Sequence, residues 1–258
     1  MENEAFLKEL LDAVTVSGAI SLGSQAVKRE MEGCADEVIT DILDDTIAVL
    51  NPQAEKKILV TAHLDEIGLV ITTADENGYL YAIDRGGVIP QTYPGHRVQI
   101  HTEKGIVKGV VNGARELCRK EKLEVTDLAI DIGASSKKEA LELVRPGDTV
   151  TFDAGFEKLS GGRFAGRALD DRLGVFIIME AFKRAKAAGA KNGLYCGRGD
   201  DEKRRLLYCG KGEAGSGHCG GCYLLYGLSL WIYRKGCRSG KARRRSGAVP
   251  QPDRSGVS

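Results

Sequence analysis

Apolar residues fall at helical spacing over residues 5–13 (Ala-Phe-Leu-Lys-Glu-Leu-Leu-Asp-Ala) and again over 25–35, where Val27 and Met31 share a face. Residues 37–50 change to a strand-like pattern carried by Val38, Ile39, Ile42, Ile47 and Val49, with Asp44-Asp45 as a turn. Residues 58–62 read as a short strand of buried type, opened by the apolar run Ile58-Leu59-Val60, which delivers His63 at its C-terminal end. From about residue 68 to 163 the strand-like pieces become short and glycine-punctuated: 69–72, 79–83, 97–101 and 105–111. Glu76-Asn77-Gly78, Arg85-Gly86-Gly87 and Pro146-Gly147-Asp148 separate them. Many short strands at near-regular spacing predict a small β-barrel or sandwich, with a capped helix at 135–143 inside it. A helical pattern returns over 169–187, with Leu173, Phe176, Ile177, Met179 and Phe182 apolar and Lys183, Arg184 and Lys186 near its end. The expected fold class is α/β, with a β-rich block inserted between residues 69 and 163.

After Tyr195 the periodicity stops. Residues 196–258 hold 13 Gly and 9 Arg, one Ile, two Val and no Phe or Met. The formal net charge of +1 hides an asymmetry: this segment carries +8 and the first 195 residues −7. We expect 196–258 to be an aberrant, disordered tail of different origin, such as an out-of-frame translation. The near-zero overall charge speaks against a nucleic-acid or membrane-surface partner, and no apolar run approaches the roughly 18–20 residues needed to span a bilayer. The N-terminus lacks the basic and apolar regions of a signal peptide. Only Cys34 and Cys118 precede residue 196, which fits a reduced, cytoplasmic protein.

Two acidic motifs carry the candidate chemistry. Thr61-Ala62-His63-Leu64-Asp65-Glu66-Ile67-Gly68 follows the 58–60 apolar run, and Ala168-Leu169-Asp170-Asp171-Arg172-Leu173-Gly174 opens the last helix. Together they read as half of a two-metal hydrolase site. At a strand-to-loop crossing, residues i and i+2 point the same way. His63 and Asp65 then converge on one ion, or Asp65 orients the imidazole; the plainer alternative is a histidine hydrogen-bonded in a loop. Glu66 is either a further ligand or solvated. Asp170-Asp171 either bridges cations or caps its helix and complements the dipole. His218-Cys219-Gly220-Gly221-Cys222, with Cys196, Cys209 and Cys237, is a weaker zinc candidate of irregular spacing.

With these motifs in place, residues 1–195 resemble the tetrahedral, or deblocking, aminopeptidases, co-catalytic metallopeptidases related to glutamyl aminopeptidase and cellulase M. The resemblance rests on Val16-Ser17-Gly18, the His63–Asp65 motif, Asp131-Ile132-Gly133-Ala134-Ser135-Ser136, Val144-Arg145-Pro146-Gly147-Asp148 and Phe164-Ala165-Gly166-Arg167-Ala168-Leu169-Asp170-Asp171-Arg172. It implies a catalytic α/β domain in two parts, 1–68 and 164–195, interrupted by a PDZ-like or small β-barrel domain at 69–163. It implies assembly into large homo-oligomers, peptide substrates shortened from the N-terminus, and two divalent metal ions, zinc or cobalt. His63 matches a metal ligand, Asp65 the catalytic carboxylate that orients it, and Asp170 the aspartate that bridges the metals. The family continues with an apolar strand and a Glu-Glu pair that supplies the general base and a ligand. Here Cys196-Gly197-Arg198-Gly199-Asp200-Asp201-Glu202 follows, and no Glu-Glu pair occurs in the sequence. The expectation is therefore an incomplete aminopeptidase site of little or no activity, or a non-catalytic scaffold built on the same fold.

Overall fold

The structure, a computed structural model, describes residues 3–19, 21–41, 44–198, 222–225 and 228–234. In chain order these form α1 (Glu4–Asp12), α2 (Ser21–Glu32), β1 (Glu37–Thr40), β2 (Thr46–Leu50), β3 (Lys56–Ala62), β4 (Gly68–Ala74), β5 (Leu80–Arg85), β6 (Arg97–Thr102) and β7 (Gly105–Val111). They continue with α3 (Arg115–Cys118), β8 (Ile130–Asp131), α4 (Lys137–Leu143), β9 (Thr149–Phe152), β10 (Glu157–Lys158), β11 (Phe164–Ala165), α5 (Leu169–Ala187), β12 (Gly193–Arg198), β13 (Cys222–Leu225) and β14 (Leu228–Arg234).

Two hydrophobic cores follow from the two periodicities. In the first, α1 buries Phe6, Leu7, Leu10 and Leu11, α2 buries Ala26, Val27 and Met31, and α5 buries Val175, Phe176, Ile178, Met179 and Phe182 against the sheet. Each fully buried Leu or Phe contributes about 1.5–3 kcal/mol. The strand pattern read over 37–50 resolves into β1 and β2, antiparallel across the Asp44-Asp45 turn, and every residue of β2 is buried. The sheet runs β1-β2-β12-β3-β14-β13. The second core fills a closed barrel of β4-β5-β8-β7-β6-β9, lined by Leu69, Ile71, Leu80, Val98, Ile100, Ile130 and Val150 among others. Closure leaves no sheet edge to cover, and decides between the barrel and sandwich alternatives. Inside this region α4 begins on Ser136, whose hydroxyl accepts from the Glu139 backbone N–H.

The chain thus leaves the α/β sheet at the end of β3, builds the barrel, and returns at α5. Gly68 stands at the departure point. A Cβ there would lie 2.8 Å from both the Val150 carbonyl oxygen and Val16 Cγ2, so only glycine lets the loop pass between the two units.

One expectation is corrected. Regular structure does not stop at residue 195: β12 runs to Arg198 and lies between β2, to which it is antiparallel, and β3, to which it is parallel. Cys196 is 1% exposed and packs as a small hydrophobe, its thiol pushed up to about 12 by burial. At Gly193 a Cβ would lie 3.1 Å from both the Asn51 carbonyl oxygen and Lys57 Cγ, a tight fit that glycine avoids. The strand Gly-Leu-Tyr-Cys-Gly-Arg is too short and mixed to carry an apolar period, yet pairing on both sides holds it. Residues 222–225 and 228–234 are likewise strands of this sheet; the rest of the expected disordered tail lies outside the described residues.

Candidate metal centre

His63 and Asp65 emerge at the C-terminal end of β3, the edge at which open α/β sheets place ligands. Asp65 Oδ1 lies 3.2 Å from His63 Nδ1, and its Oδ2 accepts a hydrogen bond from Ser17 Oγ. Ser17 is brought there by backbone pairing: Glu66 N donates to Thr15 O at 2.9 Å, Ser17 N donates to Glu66 O at 3.3 Å, and Val16 and Glu66 form a parallel bridge. The Val16-Ser17-Gly18 motif therefore works as a second wall of the histidine loop. His63 Nδ1 is buried and, although close to Asp65, is off the line of a well-formed hydrogen bond. The Asp65 carboxylate beside it still raises the imidazole's pKa, outweighing burial; Asp170 and Asp171 add to the rise.

The second segment arrives at the start of α5. Ala168 lies in the left-handed region at φ 56°, and Asp170 and Asp171 have non-helical backbone angles, so the first turn is not regular helix. The two aspartates differ in their surroundings. Asp171 is buried and caps the helix: its Oδ1 accepts from Gly174 N at 3.1 Å. Burial raises its carboxyl pKa. Asp170, its side chain 94% exposed, faces the imidazole, with Oδ1 3.3 Å from His63 Nε2. His63, Asp65 and Asp170 are thus brought into one cluster.

Glu66 is neither a ligand nor solvated. It is 7% exposed, and its two oxygens are taken by two arginines: Arg172 Nη2 donates to Oε1 at 2.6 Å and Arg167 Nε donates to Oε2 at 2.9 Å. Arg172, with no exposed surface, also donates to the carbonyls of Leu64, Leu10 and Leu11 and to Thr15 Oγ1. Arg167 donates to the carbonyls of Ala154, Asp12 and Ala13. The two guanidiniums close the C-terminal end of α1, where helix carbonyls lack intrahelical partners. Sequence reading missed this network. A signal was present: Arg172 precedes Val175, Phe176 and Met179 by three, four and seven residues, placing it on the buried face of α5.

His63 Nε2 and Asp170 Oδ1 fit a divalent cation as far as they go. Two ligands of one tetrahedral ion, each about 2.0–2.2 Å from it, stand roughly 3.4 Å apart, close to the separation here. Among the described residues no group of three or more His, Cys, Asp or Glu side chains is arranged to hold a metal ion, so the pair alone does not make a complete site. The zinc arrangement suggested for His218, Cys219 and Cys222 rests on side chains outside the described residues.

Comparison with known proteins places the chain as a whole. Residues 45–202 match the family described as M42 glutamyl aminopeptidase. A lysyl aminopeptidase of Pyrococcus furiosus is 35% identical over 186 residues, covering 69% of this chain and 54% of that protein. The chain therefore spans about half the length of this curated relative. Among solved structures, a TET aminopeptidase from the marine sediment archaeon Thaumarchaeota archaeon SCGC AB-539-E09 is similar with a TM-score of 0.71 at 32% identity, over 76% of this chain and 57% of that one. The Pyrococcus horikoshii TET1 peptidase, which assembles into a tetrahedron or a large octahedral shell, is similar with a TM-score of 0.68 at 34% identity, over 75% of this chain and 59% of that one. The family match reaches Glu202, past the end of β12, so the strand that the composition concealed is matched along with the rest. On the extent of that match, this chain belongs to the M42 glutamyl aminopeptidase family.

Proposed function

We propose that this chain carries the first part of an aminopeptidase metal site, which removes N-terminal residues from peptides. The observation that supports this most directly is the approach of His63 Nε2 to Asp170 Oδ1, 3.3 Å apart at the end of β3. Within this reading His63 and Asp170 would help to hold divalent ions, zinc or cobalt. What such ions supply is Lewis acidity toward a peptide carbonyl and a water of lowered pKa. The chain's own residues do the rest. Asp65 favours the Nδ1–H tautomer of His63, so that the Nε2 lone pair faces Asp170. Ser17 holds Asp65 through the second carboxylate oxygen. Asp171 fixes the first turn of α5 through Gly174 N.

The same reading assigns this chain weak turnover. No Glu-Glu pair occurs in the sequence to supply a general base and a further ligand, and loss of a general base costs about 100-fold or more. The cytoplasmic setting expected from cysteine usage belongs to this proposal. So does homo-oligomer formation, supported by neighbours that form a dodecamer or a tetrahedral or octahedral shell. Among the described residues no helix is long and apolar enough to cross a membrane.

The test pairs binding with turnover on the purified chain. Calorimetric titration with Co²⁺ should give saturable binding that His63→Ala abolishes. Hydrolysis of aminoacyl-p-nitroanilides with Co²⁺ or Zn²⁺ should run at least about 100-fold below ordinary enzyme turnover of about 1–1,000 per second. Binding indifferent to His63 would remove the metal-site reading, and ordinary turnover would remove the impairment. A defined oligomer by size-exclusion mass measurement, with neither binding nor turnover, would favour the scaffold alternative.

A further inference from the structure

We infer that Glu66 and Arg172 are positioning residues that set the separation of the His63–Asp170 pair; this rests on the reading of that pair as a metal site. Glu66 lies three residues after His63, and Arg172 two residues after Asp170. Their 2.6 Å ion pair therefore links the two segments that carry the two donors. Its side chains are 4% and 0% exposed, so solvent screens the pair little.

Three further observations make the link specific to the loop. First, Arg172 Nε and Thr15 Oγ1 both donate to the carbonyl of Leu64, at 3.2 and 2.7 Å, and Leu64 sits between His63 and Asp65. The peptide plane flanked by the ligand and its orienting carboxylate is thereby held from two directions. Second, the segment bearing Asp170 has non-helical backbone angles at Asp170 and Asp171 and a left-handed Ala168. Arg172 N donates to Ala168 O at a long 3.3 Å, and with those backbone angles regular helix does not set the segment's register. Third, Thr15 N donates to Glu66 Oε1 at 3.2 Å, joining the Ser17 wall to the same carboxylate. A buried carboxylate between two arginines adds little stability over well-packed apolar side chains of the same volume. Its directional donors do offer fixed geometry, which apolar packing does not.

The test is Co²⁺ binding by calorimetry on the 258-residue chain, with the metal-free melting temperature read for every variant. Wild type should bind and His63→Ala should not. Glu66→Gln keeps the shape and removes the charge. It should weaken Co²⁺ affinity by about tenfold or more, as expected when a group supporting a ligand is lost, at temperatures where the variant is fully folded. Thr15→Val removes only the hydroxyl between Arg172 and Leu64 and should weaken binding by about threefold. It decides the matter alone if Glu66→Gln does not fold. A purely structural role would lower the melting temperature and leave affinity unchanged; that result in folded variants overturns the inference while the metal site stands. No His63-dependent binding in wild type would instead overturn the metal-site reading, and this inference with it.

Discussion

Arg172→Met should destabilise the fold more than any surface change, and the structure sets the scale. The methionine retains much of the apolar stem but none of the guanidinium. Five acceptors lose a donor: the carbonyls of Leu10, Leu11 and Leu64, Thr15 Oγ1, and Glu66 Oε1. Breaking a buried ion pair by removing one partner costs about 3–5 kcal/mol. Glu66 keeps Arg167 on its other oxygen, which moves the figure toward the lower end. A buried acceptor left unsatisfied adds about 1–3 kcal/mol, and Leu64 keeps Thr15 as a donor, so the α1 carbonyls of Leu10 and Leu11 are the ones exposed to this cost. Against these stands relief from burying the guanidinium, whose pKa is lowered mainly by that burial despite Glu66. The balance is a loss of about 4 kcal/mol, a large part of the 5–15 kcal/mol available to a typical domain. In urea, with an m-value of about 2 kcal/mol/M, the midpoint followed by far-UV circular dichroism should fall by about 2 M. A shift equivalent to less than about 1 kcal/mol would refute the reasoning, because Arg172 would then be a dispensable passenger in the α1–α5 contact.

His101 and Gly174 give two further predictions. Burial, helped by the positive charge of Arg167, pushes His101 down to about 4 from 6.5, while its Nε2 lies 2.8 Å from Thr151 Oγ1. The unfolded chain therefore binds more protons between about pH 6.5 and 4, and stability should fall across that window as pH drops, by at most about 3 kcal/mol. His101→Gln should flatten urea midpoints measured from pH 7 to 4.5, and an unchanged slope would rule His101 out as the source. Gly174→Ala would place a Cβ within 2.2–2.6 Å of the Asp171 carboxyl group. It should cost about 1–3 kcal/mol by overpacking and displace Asp171 from its bond to the residue-174 N–H, visible as a lower melting temperature; a variant melting within a degree of wild type would count against that contact.

The sequence by itself determined the two cores and the two loops that matter. Helical spacing in α1 and α5 and the apolar run of β3 are local signals set by which face must leave water. They place His63 at a strand end and Asp170 at a helix start whatever the rest of the chain does. Glycine-separated short strands announced the β-rich unit, because turns need glycine where φ is positive, as at Gly78 and Gly147. What only the tertiary structure decided depends on partners distant along the chain. Whether the β unit closes as a barrel rests on β9 returning to pair with both β4 and β6. Whether residues 193–198 form a strand rests on β2 and β3 pairing with them from either side, since Gly193, Cys196 and Gly197 carry no period of their own. The fate of Glu66 rests on two arginines about a hundred residues away. A carboxylate in a polar loop looks solvated until the fold encloses it, and only the enclosure turns it from a candidate ligand into the strut between the loops of His63 and Asp170.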